Sequence, residues 1–446
     1  MSINNLTRDE FVRILHQQLS PAHPIQSFEH LFGRLEQLQT IEQALCAPGR
    51  HVFIYGDRGV GKSSLAQTAA FKHQSSDSPP IILSCEKKST FLGIIQALLE
   101  RLYNNPSGDQ ITKTIKVGIN IPKLTLEQET SIKSGEIPLA KDINSAAHLL
   151  NYFSIKYFKK TLIVLDEFDL IGEQSERGLF ADFIKQLGDQ SVSNQFIFCG
   201  IGKSLDELLD AHASSYRYMV GIEVNRLDWT ARWEIINKSS SALNISINED
   251  SRFRIAAISD GYPHYIHLVC EQLYWECFND EYVIDEVTPS HYIAAVRSTV
   301  RGIEHHLKRA YEQATMKSSN GGYHEVLWAV ADHFELIRAT ANIYNSYCRI
   351  MVDMQEQPID SSKFNAKLNQ LKSTNFGEIL INPRRGWYEF KENIVRGYVR
   401  LRAEDQGVRL QIEHEPTPEP KRYITGGIKA KPNPIYPKPT YGRKKY

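Results

Sequence analysis

The stretch His51-Val52-Phe53-Ile54-Tyr55-Gly56-Asp57-Arg58-Gly59-Val60-Gly61-Lys62-Ser63-Ser64 decides the fold. His51–Tyr55 is a short apolar run that reads as a buried strand. Residues 56–63 then fit the pattern G-x-x-x-x-G-K-[ST] in full. The glycines let the backbone curl so that successive N–H groups face one anion. Ser64-Leu65-Ala66-Gln67-Thr68-Ala69-Ala70 opens a helix, and a helix N-terminus adds roughly half a positive charge. In such a loop Lys62 reaches the β- and γ-phosphates and Ser63 is placed to ligate Mg²⁺.

Working outward, short apolar runs alternate with helical patterns. The runs are His51–Tyr55, Ile81–Cys85, Thr161–Leu165, Gln195–Cys199 and Val220–Val224. Apolar on both faces, they suit a buried parallel sheet, and the helices between them imply βαβ units. One interval breaks the rhythm. Ile111, Ile115, Val117, Ile119 and Ile121 alternate with mostly polar residues, which predicts a β-hairpin inserted over 104–140. Residues 1–50 read as mainly helical, with Phe32-Gly33-Arg34 before the amphipathic stretch Leu35–Leu45.

The second half of the nucleotide site is Leu162-Ile163-Val164-Leu165-Asp166-Glu167. Four apolar residues followed by two carboxylates put both acids at the C-terminal edge of a buried strand, where ligands of open α/β sheets bind. Asp166 would hold Mg²⁺ through water. Glu167 points elsewhere and can orient or deprotonate an attacking water. With the phosphate loop upstream, these residues imply Mg·ATP hydrolysis, whose chemistry is mostly positioning and charge neutralisation. A kinase is unsupported, because no second-substrate site is recognisable.

Composition narrows the class. The 52 basic and 52 acidic residues cancel, but the chain beyond Pro420 holds eight basic residues and no acid. The rest carries 44 basic against 52 acidic residues, a net of −8. That argues against a uniformly basic nucleic-acid-binding protein and leaves a local basic contact open. Prolines from 416 to 439 prevent a packed element, so 406–446 reads as a disordered basic tail. The start, MSINNLTRDEF, lacks the build of a signal peptide, and no apolar run approaches the ~20 residues of a membrane span, so the chain is read as cytoplasmic. The six cysteines are scattered and read as free thiols.

Beyond the core, 228–320 reads as a helical lid, with Asp228 as N-cap, Gly261 as a break and Pro263 opening the next helix. Residues 321–405 show two helices, a third over Ser361–Thr374, and two strands, Glu378–Ile381 and Trp387–Phe390. The turn between them is Asn382-Pro383-Arg384-Arg385-Gly386. That is the order of a winged helix.

These residues carry a family resemblance. Over about 25–405 the chain resembles AAA+ ATPases of the branch holding origin-recognition ATPases, transposition and secretion ATPases, and STAND switches. The resemblance implies a three-layer αβα P-loop core over 51–227, followed by the lid and the winged helix. It places Gly33 and Arg34 beside adenine. It places Arg217, in His212-Ala213-Ser214-Ser215-Tyr216-Arg217, where relatives aim an arginine at a neighbouring subunit's γ-phosphate, which implies self-association. Gly261-Tyr262-Pro263-His264 resembles the G-x-P signature where sensor 2 begins. Secretion-type relatives often follow that proline with arginine. His264 is shorter and largely neutral at pH 7, so either the lid reads nucleotide differently or hydrolysis is slow. Relatives often end the sensor-1 strand on Asn, Thr or Ser; here Cys199-Gly200 ends it, and Ser204 is a positional guess.

Two functional readings stay open. In the first, ATP gates a switch of conformation or assembly with protein partners, in signalling or defence, with slow or partner-stimulated turnover. In the second, Lys363 and Lys367 on the third helix of the winged unit, Arg384 and Arg385 on the wing, and the tail contact DNA. A scaffold without turnover is disfavoured, because Lys62, Asp166 and Glu167 are all present.

Overall fold

The computed structural model describes residues 2–21, 24, 27–74, 79–103, 137–156, 161–190, 192–202, 205, 217–316 and 321–412. The hairpin expected over 104–140 (but for residues 137–140), Ser204, His212–Tyr216 and the tail beyond 412 lie outside these residues.

Five strands form one parallel sheet: β1 (His51–Tyr55), β2 (Ile81–Ser84), β3 (Leu162–Asp166), β4 (Gln195–Gly200) and β5 (Met219–Glu223). Their order is β2-β3-β4-β1-β5, with Val52 opposite both Ile197 and Val220. Each strand splits its side chains between two cores. Val52, Ile54, Val164, Ile197 and Cys199 face one, and Phe53, Ile163, Leu165, Phe196 and Phe198 face the other. The continuous apolar runs have this cause: helices cover both faces. Helices α2 (Leu35–Cys46) and α3 (Lys62–His73) pack on the first face. Helices α4 (Phe91–Tyr103), α5 (Ile143–Lys156) and α6 (Gln174–Asp189) pack on the second. This is the expected three-layer P-loop core.

The N-terminal helix α1 (Arg8–Gln18) opens with a capping box between Thr7 and Glu10. It packs away from the sheet: its Phe11 ring stacks on Phe278 at 4.3 Å. The helices there are α7 (Trp229–Ala242), α8 (Glu249–Ile258), α9 (Pro263–Phe278), α10 (Pro289–Gly302) and α11 (His305–Thr315). Asp228 caps α7, its carboxylate accepting from the Ala231 N–H at 2.8 Å. Two-residue strands β6 (Ser246–Ile247) and β7 (Glu286–Val287) pair within this region; pieces so short leave no periodicity to read.

The C-terminal unit runs α12 (Tyr323–Ala331), β8 (Arg338–Ala339), α13 (Thr340–Asp353), α14 (Ser361–Gln370), β9 (Leu380–Arg384), β10 (Trp387–Phe390) and α15 (Asn393–Asp405). The hairpin differs from expectation. Asn382, Pro383 and Arg384 belong to β9, so the turn is tighter and centres on Arg385-Gly386. The strand order β8-β10-β9 explains it: β9 is an edge strand, and an edge tolerates proline because one row of its N–H groups needs no partner. No helix among the described residues is long and apolar enough to cross a membrane.

Candidate nucleotide site

The phosphate loop leaves the C-terminal edge of β1, an inner strand between β4 and β5. Gly56 lies so close to β5 that a Cβ there would fall 2.2 Å from the Val224 carbonyl oxygen. Gly59 and Gly61 have φ of +81° and +97°, a region that side-chain-bearing residues rarely adopt. Helix α3 begins at Lys62, so the unpaired N–H groups of its first turn end in the loop. Lys62 Nζ donates to the carbonyls of Gly56 (3.0 Å) and Asp57 (2.8 Å), which holds the loop curled around the ammonium. Burial pulls Lys62 below its usual range, and Asp169 is the strongest acidic counterweight, ahead of Asp166 and Asp57.

Across the cavity, Asp166 ends β3 and is buried. Its carboxylate accepts from the Glu167 N–H at 2.9 Å. Glu167 adopts φ of +55°, a conformation that costs an L-residue ~1–2 kcal/mol and that often marks functional sites. The kink leads into the short 3₁₀ turn Phe168–Leu170, which carries Asp169 to the cavity wall. Burial raises the Glu167 carboxyl, and the Asp166 charge raises it further. That shift suits a group meant to accept a proton near neutral pH.

Gly33, Arg34, Pro263 and His264 frame the other end. Gly33 has φ of +64°, and a Cβ there would fall 2.6 Å from Ala231 Cβ. Arg34, only 4% exposed, donates to the carbonyls of Val60 (2.9 Å) and Asn225 (2.6 Å). It therefore clamps the phosphate loop to the exit of β5. Burial lowers its pKa to about 10. Pro263 Cγ lies 3.9 Å from a Cβ built on Gly61. His264 Nδ1–H donates to the Pro21 carbonyl at 3.2 Å, and Nε2 sits 3.7 Å from Glu304. Nδ1 thus ties the ring to the N-terminal segment, while Nε2 has no hydrogen-bond partner among the described residues. A cavity of about 440 Å³ runs between these walls, lined by Arg58, Gly59, Val60, Gly61, Lys62, Ser63 and Ser64 at one end and by residues of the N-terminal segment and α9 at the other.

The C-terminal unit reaches the same loop. Asn393, the first residue of α15, donates its amide to Asp57 Oδ2 at 3.0 Å, and Tyr262 OH donates to the same oxygen at 3.4 Å. Ile394 packs under Gly59 so closely that a Cβ there would fall 2.5 Å from Ile394 Cδ1. Beneath this contact, Arg396 and Arg400 of α15 are 1% exposed and converge on Asp260, which is fully buried. Arg396 makes a two-pronged contact at 2.6 and 2.7 Å, Arg400 lies at 3.0 Å, and Arg226, from the exit of β5, at 2.5 Å. Burial alone would raise the Asp260 carboxyl. The guanidiniums outweigh it and hold the group below its ordinary range. Asp169, Asn393 and the Asp260 cluster escape sequence reasoning. Asp260-Gly261 does read as a turn, and both residues have positive φ, but nothing local announces an arginine arriving from α15.

The remaining candidates lie elsewhere. Arg217 is exposed and precedes β5, whose Met219 pairs with His51; it therefore sits at the sheet edge opposite the phosphate loop. Lys363 is exposed and pairs with Asp360. Lys367 donates to the Gly321 carbonyl at 2.6 Å and lies over the Tyr323 ring. Arg384 covers Trp387 at 3.7 Å, and Arg385 is exposed on the turn.

Residues 30–193 match the AAA ATPase domain family. Among solved structures, a Walker-type ATPase of Pyrococcus abyssi is 16% identical with a TM-score of 0.50, over 85% of this chain and 99% of that one. The Aeropyrum pernix ORC1 protein, solved in complex with DNA, is 15% identical with a TM-score of 0.41, over 84% and 93%. Cdc6p of Pyrobaculum aerophilum is 14% identical with a TM-score of 0.41, over 89% and 98%. The likeness to the Pyrococcus protein is one of fold. No curated protein sequence matches the chain.

Proposed function

From an AAA+ P-loop ATPase domain that spans residues 30–193, we propose a nucleotide-gated switch. In this reading the protein binds Mg·ATP, hydrolyses it slowly or under a partner's control, and uses the cycle to reset the seating of its C-terminal winged helix, which in turn governs contact with protein partners. The observation that carries this is the meeting of three regions on Asp57: the phosphate loop supplies the carboxylate, and Tyr262 and Asn393 hold it. A loop that reshapes around phosphates changes the position of Asp57, and α15 is attached to it.

The residues present fit ATP and Mg²⁺. The glycine cradle has no room for side chains at Gly56 and Gly59, and a half-buried cation, Lys62, and a buried carboxylate, Asp166, both line the cavity. Ser63 and Asp166 would hold Mg²⁺, which supplies charge neutralisation at the phosphates when bound. The loop N–H groups and the α3 N-terminus bind phosphate oxygens. Lys62 exchanges two carbonyl acceptors for phosphate, and Glu167 orients the attacking water and takes its proton. Because His264 donates to the Pro21 carbonyl and burial holds it below the usual histidine range, the lid offers no free cation there, which supports slow turnover. The exposed position of Arg217, away from its own phosphate loop, supports a role toward a second subunit.

The test is hydrogen exchange of α15 with and without Mg·ATP. Faster exchange with ATP in wild type, absent in Lys62→Ala, is expected. Identical α15 exchange in both states, with ATP bound, overturns the switch. The exposed Arg385 and Lys363 favour a second reading, duplex DNA contact through the winged helix. Salt-dependent duplex binding that weakens in Arg384→Ala/Arg385→Ala would establish it.

A further inference from the structure

The end of the cavity away from Lys62 is walled by buried apolar side chains, Leu31, Leu227 and Ile235, and by three imidazoles, His30, His264 and His267. Flat apolar walls suit the faces of a nucleobase; its edge needs polar partners. His30 is occupied through Nε2 and His264 through Nδ1 alone, the His264 Nε2 having no hydrogen-bond partner among the described residues. His30 Nε2 meets Gln18 Oε1 at 3.3 Å, and His264 is bonded to Pro21 and faces Glu304.

His267 is different. It lies one turn beyond His264 on α9, is 3% exposed, and neither of its ring nitrogens has a partner among the described residues. A buried polar group without a hydrogen bond is a rare and costly feature that calls for an explanation. Burial lowers this histidine to about 4, with the neighbouring His264 and His30 working the same way. The ring is therefore neutral at pH 7, with one N–H donor and one bare nitrogen.

We infer that His267 is the residue that selects the base, its bare nitrogen accepting a hydrogen bond from the 6-amino group of adenine. The 6-amino group of adenine is a donor, which the bare nitrogen of a neutral imidazole can accept. A 6-oxo purine presents an acceptor at that position instead. The selection comes from a group with no partner among the described residues, so binding adenine satisfies a nitrogen that otherwise has nothing. This rests on the ATP-binding reading above.

The test pairs a change in the protein with a change in the ligand. The full chain, as wild type, His267→Phe and His267→Gln, is titrated at equilibrium with Mg·ATP and with the triphosphate of purine riboside, which lacks only the 6-amino group. Wild type is expected to favour ATP by about tenfold, the value of one hydrogen bond at roughly 1.4 kcal/mol. His267→Phe should lose that tenfold for ATP and bind the purine riboside nucleotide unchanged. His267→Gln, which keeps an acceptor, should retain most of the preference. The melting temperature without nucleotide should hold or rise in His267→Phe, because an unpaired polar group has been removed. Equal weakening of both nucleotides, or no weakening, overturns the inference, and a fall in nucleotide-free stability with equal weakening assigns His267 to packing alone. Failure of wild type to bind either nucleotide refutes the ATP-binding reading instead.

Discussion

Replacing Asp260 by alanine tests whether the buried ion cluster fastens the C-terminal unit to the helices α7–α11. The carboxylate is fully buried and answers Arg396, Arg400 and Arg226. Without it the guanidiniums keep some acceptors: Arg400 still donates to Ala331, Ala257 and His333, and Arg396 to Phe334 and Glu335. Those carbonyls satisfy hydrogen bonds but not charge. Breaking a buried pair on one side costs about 3–5 kcal/mol, a large share of the roughly 5–15 kcal/mol that holds a domain folded. The assay is urea unfolding followed by fluorescence of Trp328, which is buried in the C-terminal unit, in a background where Trp229, Trp233, Trp275 and Trp387 are replaced by phenylalanine, alongside calorimetry. Asp260→Ala should move the Trp328 transition to lower urea and separate it from that of helices α7–α11. Arg396→Met in that background should recover about 1–3 kcal/mol, because it removes one stranded charge. If the two substitutions add within about 0.5 kcal/mol, the pair is uncoupled and the cluster does not fasten the unit.

Other outcomes follow from the same geometry. Lys62→Ala should weaken ATP binding by about 10- to 100-fold, the value of charged hydrogen bonds, measured by equilibrium titration. Glu167→Gln should keep that binding and lower turnover by about 10²–10⁴-fold; unchanged turnover would remove Glu167 as the base. Because the Glu167 carboxyl of the free protein is raised above its usual value, kcat/KM, which reports the free enzyme, should fall on the acid side at a pH above the ordinary range for glutamate. Stability should also fall with acid: His267 is lowered to about 4 and His51 to about 3 in the fold. The unfolded chain therefore takes up protons first, and stability declines as pH drops from about 6.5 toward 4 in denaturant titrations.

What could be read from the sequence divides along one line. The strands of the sheet and the phosphate loop are written locally. A run such as Leu162-Ile163-Val164-Leu165 is apolar because both its faces are covered, and Gly56–Ser63 must curl because a strand and a helix N-terminus close on it. Errors at strand ends, such as Pro383 falling within β9 instead of the turn, came from not knowing which strand would be the edge.

The contacts that turn a nucleotide pocket into a reporter are not local, and no period or spacing encodes them. Asn393 lies 336 residues from the Asp57 it bonds, and Arg396 lies 136 residues from Asp260. In the sequence Asp57 is only one of the free positions between two glycines. In the fold it is the sole carboxylate that, among the described hydrogen bonds, the phosphate loop presents jointly to Tyr262 and Asn393. That difference has a physical consequence. A position inside the motif that bears no catalytic duty can be spent on coupling, so Asp57→Ala should leave the phosphate cradle intact while loosening α15 from it. Comparable ATP affinity with faster exchange of α15 would follow from that logic, whereas a loss of ATP binding as deep as that of Lys62→Ala would place Asp57 in the cradle itself and break the argument.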